Sequence, residues 1–170
     1  RQSSRQGSRQ GSPTTQIQGL NEGSTRSSTP AFVPLRHSQN NTTSCASCHI
    51  QEYGFSDPRQ FSVGLYGDPT DRHSMPLVNV RYYLTGHMFW DERAESLEVQ
   101  VLEAITHPLE MDMDLDVLEG KLADTEFYPD LFEAAFDSPE VTEEKIAKAI
   151  GQFVRSMVSF NSKYDNSLEG

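Results

Sequence analysis

At 170 residues the chain is long enough for one domain with its own core, although its 35% hydrophobic content is low for a globular protein. Five Arg against Glu22 give residues 1–40 a charge of +4, whereas nine basic and 24 acidic residues give the remainder −15. That sign argues against a nucleic-acid binder, and without an 18-residue apolar run no segment of this sequence is a transmembrane helix. An acidic surface can steer a basic protein partner, and it serves plain solubility equally well.

Residues 1–30 are rich in Ser, Arg, Gln, Gly and Thr and repeat Arg-Gln-Gly-Ser at 5–8 and 9–12. Such a composition buries too little apolar surface to offset its ordering entropy, so a disordered low-complexity tail is expected there. No apolar run marks a signal peptide in residues 1–15. Residues 31–170 are expected to form the folded domain, beginning with loop and short helix around the two cysteines. Gly64, Gly67, Pro69, Pro76 and Gly86 then break residues 61–90 into a long irregular connection. A loop of that length is expected to wrap something.

The pattern turns helical from residue 91. Asp91 is placed to cap a helix carrying Ala94, Leu97, Val101, Leu102 and Ile105 on one face, ending before Pro108. Asp114 caps a second, with Val117, Leu118 and Leu122. A third gathers Tyr128, Leu131, Phe132, Ala135 and Phe136. Thr142, followed by Glu143 and Glu144 at the positive end, opens a fourth. Its stripe runs through Ile146, Ile150, Phe153, Val154, Met157 and Val158. No strand pattern competes, and the expected class is all-α.

Cys45-Ala46-Ser47-Cys48-His49 has the spacing of c-type haem attachment. Two thiols can add to the two vinyl groups of a haem while the adjacent His reaches the iron. Three other readings of the motif stand beside this one. A zinc site needs two further ligands, and neither a second Cys pair nor a paired His motif is present. A redox dithiol calls for a βαβ setting. A plain disulfide between cysteines this close is an uncommon staple. For a haem, the sixth coordination position decides between electron transfer and catalysis. The candidates to fill it are His73, Met75, His87, Met88, His107, Met111 and Met113, each of which has packing or surface placement as its ordinary role.

Several spaced motifs carry a resemblance. They are Ser44 to His49, Gly54-Phe55-Ser56-Asp57, Pro76-Leu77-Val78-Asn79-Val80, Phe89-Trp90-Asp91-Glu92-Arg93-Ala94, Leu97-Glu98-Val99-Gln100 and Pro108-Leu109-Glu110-Met111. In that order they resemble the N-terminal haem domain of bacterial di-haem cytochrome c peroxidases. The family includes the MauG-like branch that matures methylamine dehydrogenase, and Lys163 to Leu168 resembles its link into a second haem domain. The resemblance implies a cytochrome c-like helical haem domain holding one covalent haem c through Cys45, Cys48 and His49.

It implies further that Glu110 moves a proton between peroxide oxygens as the O–O bond breaks, and that Gln100 hydrogen-bonds in the same pocket. Trp90 would relay electrons between two haems, Asn79 would lie near a calcium ion between domains, and Asp91 and Arg93 would fix local structure. Leu65 stands where many of these peroxidases carry a distal His, which implies an iron open without reductive activation. The implied reaction is reduction of hydrogen peroxide to water with electrons from a small donor cytochrome or cupredoxin. Haem c attachment implies a periplasmic or otherwise exported protein. The sequence departs from the family in carrying one attachment motif where the family has two. The alternative is a mono-haem electron carrier whose iron is closed by Met or His, and a third reading is oxidation of a protein substrate.

Overall fold

The computed structural model describes residues 38–168. The expected tail at residues 1–30 lies outside this range. Among the described residues, five α-helices follow three short 3₁₀ turns at Cys45–Ser47, Gln51–Tyr53 and Val80–Tyr82. They are α1 (Leu97–Thr106), α2 (Leu115–Ala123), α3 (Tyr128–Phe136), α4 (Glu143–Ser156) and α5 (Lys163–Leu168). Among the described residues there is no β-strand, only isolated bridges such as Ile50 to Ser56 and Met88 to Ala94. The all-α expectation holds.

Local chemistry accounts for most helix starts. Asp114 Oδ1 accepts the Val117 N–H at 3.0 Å, and Thr142 Oγ1 accepts that of Lys145 at 3.4 Å. Each satisfies an N–H that the first helical turn leaves without a partner. Pro129 suits the first turn of α3, where its missing N–H costs nothing.

The first helix differs from expectation. Its cap is Ser96, whose Oγ accepts the Val99 N–H at 3.2 Å, and not Asp91. Asp91 is engaged by Arg72 at 3.1 Å and Arg93 at 3.0 Å. The chain around it turns back through positive φ at Phe89 and Glu92 to bridge Met88 with Ala94. Ala94 is therefore buried outside the helix. The stripe of α4 also ends sooner, at Ser156, with Met157 buried just beyond as the C-cap and Val158 after it.

Two apolar clusters hold the helices. One joins Ile105, Met113, Leu118, Phe132 and Ile146, bringing α1, α2, α3 and α4 together. The other joins Met88, Ala94, Leu97 and Val154, sealing the irregular segment onto α1 and α4. Arg155 of α4 grips Glu98 of α1 with both guanidinium nitrogens, at 2.5 and 2.9 Å. Residues 61–90, irregular as expected, border a cavity between this helical body and the cysteine turn.

A candidate haem site

One 3₁₀ turn gathers the thiols and the imidazole, with the Cys45 carbonyl accepting the N–H of Cys48 at 3.2 Å and of His49 at 2.9 Å. Neither cysteine is in a disulfide. Burial pushes the Cys45 thiol up to about 11 and raises that of Cys48, with the Glu110 carboxylate adding to both. Both therefore stay protonated at neutral pH.

His49 Nδ1 lies 2.9 Å from the Phe55 carbonyl. A carbonyl only accepts, so Nδ1 carries the proton and Nε2 keeps its lone pair. Burial also holds the ring below its ordinary value, which keeps it neutral, as a metal ligand must be.

Cys48 and His49 open onto a cavity of about 460 Å³, within the range of cofactor pockets, roughly 300–1,000 Å³. Gln100 and Ala104 line it from α1, and His107 and Glu110 from the segment that follows. Glu110 is half-buried, and burial raises its carboxyl above the ordinary range against the pull of His107 and Arg93. Its backbone is clasped from behind, since Leu65 N–H donates to the Leu109 carbonyl at 3.1 Å. Gly64 sits so close that a Cβ there would lie 2.1 Å from the same oxygen. Leu65 itself is buried and does not line the cavity.

Trp90 stands in the cavity wall with 57% of its surface exposed, its indole N–H donating to the His73 carbonyl at 2.8 Å. Next to it Arg72 and Arg93 line the cavity, joined through Asp91, and Arg93 also lies 3.5 Å above the Phe89 ring. Asn79 is elsewhere. Its amide donates to the Ser159 carbonyl at 2.9 Å and accepts the Ser159 N–H at 2.8 Å, splinting the chain beyond α4.

Of the seven candidate sixth ligands, His73, Met75 and His107 line the cavity. His73 has both ring nitrogens engaged, by the Arg59 carbonyl and by Ser56 Oγ. Met88, Met111 and Met113 are core residues, and His87 is exposed. Sequence reasoning missed Ser62, Thr70, Asp71, Arg72 and Ser74 as cavity residues. It also gave Arg93 and Asp91 a purely local role. Gln100, Ala104 and His107 recur at helical spacing on a face apart from the apolar stripe, and that signal would have found the α1 wall.

The donor set fits c-type haem: two unbridged cysteines, a neutral imidazole with its proton on Nδ1, and an adjoining cavity with cations in its wall. The model of the di-haem cytochrome c peroxidase family matches residues 31–170. The chain belongs to that family. The di-haem cytochrome c peroxidases are oxidoreductases, and membership implies haem c as the cofactor. The methylamine utilization protein MauG of Methylorubrum extorquens is 35% identical over 136 residues, covering 79% of this chain and 38% of that protein. The cytochrome c551 peroxidase of Nitrosomonas europaea is 33% identical over 139 residues, covering 82% and 41%. The crystal structure of a MauG-like protein associated with microbial copper homeostasis superposes with a TM-score of 0.73 at 31% identity, covering 84% of this chain and 43% of that one. The chain thus spans about two-fifths of the length of these relatives.

Proposed function

We propose that residues 31–170 form a haem c peroxidase unit that reduces hydrogen peroxide to water with electrons from a small donor cytochrome or cupredoxin. Cys45 and Cys48 would hold a haem through thioethers, and His49 would ligate its iron through Nε2. Arg72 and Arg93, braced by Asp91, provide the cations that two propionate carboxylates require. Once attached, the haem would supply the redox chemistry for peroxide reduction.

The observation that carries this reading is Glu110, a half-buried carboxyl in the same cavity as His49. Its raised value brings it nearer neutrality, where a carboxyl both takes and returns a proton. Glu110 would take a proton from one oxygen of peroxide and return it to the other. Two electrons from the donor and two protons from solvent would balance the reduction of one peroxide to two waters. Gln100 hydrogen-bonds within the pocket, and the exposed Trp90 passes electrons inward from a docked partner. Asn79 Oδ1, with a second lone pair beyond the one Ser159 uses, offers one oxygen to a calcium ion between domains. Because haem c is attached outside the cytoplasm, the protein is assigned to the periplasm or another exported setting.

Glu110→Gln tests the proposal in haem-loaded protein. Turnover with peroxide falls by roughly a hundredfold or more, while covalent haem content is unchanged. Full turnover in this variant would sink the peroxidase reading. Met75 and His107 in the cavity wall favour the mono-haem carrier instead. A low-spin spectrum inert to carbon monoxide would identify that carrier. The MauG relative and the exposure of Trp90 together favour oxidation of a protein partner as a further reading.

A further inference from the structure

The segment His73–Met75 passes beside His49 and is fastened along its length. The Trp90 indole holds the His73 carbonyl at 2.8 Å. The His73 ring is 3.0 Å from the Arg59 carbonyl through Nδ1 and 3.1 Å from Ser56 Oγ through Nε2. Ser56 Oγ donates in turn to the Ser74 carbonyl at 2.5 Å. These bonds bring Ser74 Oγ to 3.2 Å from His49 Nδ1. Since the Phe55 carbonyl fixes the proton on that nitrogen, Ser74 Oγ is a second acceptor for the same N–H.

We propose that Ser74 is a positioning residue for His49, its hydroxyl oxygen sharing the Nδ1 proton with the Phe55 carbonyl. This rests on the haem c reading. Two acceptors fix the ring's rotation more firmly than one. They also draw the proton away from the ring, so Nε2 donates more strongly and stabilises the oxidised metal. The hydroxyl is not needed to place the segment, because the backbone of residues 73 and 74 is already held by Trp90 and Ser56. Removing it therefore isolates the effect on the ring.

The test uses the full chain with haem attached, comparing the parent with Ser74→Ala and Ser74→Thr. The reduction potential and the hyperfine-shifted Nδ1 proton signal of His49 in the ferric form are read alongside haem content and thermal midpoint. Ser74→Ala is expected to shift the potential to more positive values and to speed solvent exchange of the Nδ1 proton, with haem content and midpoint unchanged. Ser74→Thr restores both signals. A haem-loaded Ser74→Ala protein with the parent's potential and the parent's Nδ1 signal would overturn the role of Ser74 alone. A parent chain that attaches no covalent haem under maturation conditions would overturn this inference and the haem reading together.

Discussion

Asp57 places a buried negative charge behind the cysteine turn. Its side chain is fully enclosed and takes both guanidinium arms of Arg59, at 2.9 and 2.8 Å, together with the Arg59 N–H at 2.9 Å. The Arg59 side chain holds the carboxyl well below the usual carboxylate range. A depressed value means that the stability is present above the unfolded pKa and is lost as pH falls through the folded one. Asp57→Asn removes that contribution. The variant should unfold about 1.5 kcal/mol more easily in urea at neutral pH, the lower end for hydrogen bonds to a charged group because Arg59 stays solvated. The gap should close in acid. An unchanged neutral midpoint would mean that the Asp57–Arg59 bonds add nothing to the fold.

At the scale of elements, the close approach of residues 64–65 to Leu109 ties a loop directly to the backbone that presents Glu110. Oxygen and Cβ cannot share 2.1 Å, and the obstructing atom is main chain, so it has no rotamer to escape into. Gly64→Ala should therefore push the Leu109–Glu110 segment out of place. The expected result is a loss of stability of about 1–3 kcal/mol together with lower peroxide turnover in the haem-loaded protein, measured by urea unfolding and steady-state assay. Parent-like values for both would show that the clasp yields without cost.

The same contrast between near and distant contacts explains what could be read from the sequence. The caps at Asp114 and Thr142 were legible because cap and recipient lie three residues apart, and the Cys-x-x-Cys-His turn is equally local. Asp91 misled because its partner Arg72 comes from a remote part of the chain, leaving Ser96 to start α1. Thr70, Asp71, Arg72 and Ser74 of the cavity wall were illegible for a related reason. Irregular chain has no period to betray which side chains face inward, and Ser74 meets His49 only through tertiary folding. The resemblance named Glu110 and Gln100, which no local pattern singled out.

For the molecule as a whole, the residues beyond 40 carry a charge of −15. Such a surface draws cationic partners into encounter over about 10 Å at moderate salt, and the attraction fades as salt screens it. Reduction of the haem-loaded protein by a basic donor cytochrome should slow as ionic strength rises, whereas an acidic donor should show the opposite slope. Stopped-flow rates across a salt series check this. A rate indifferent to salt with the basic donor would mean that the acidic surface takes no part in docking.

Trp90 is the sole tryptophan of the chain, and it stands in the wall of the cavity. The protein therefore contains its own optical gauge. Before cofactor attachment its indole should fluoresce freely, and a strongly absorbing haem held in the same cavity should extinguish that emission. Brightness should fall in step with the fraction of chains that have acquired covalent haem. A Cys45→Ala, Cys48→Ala double variant that binds none should stay bright under the same maturation conditions.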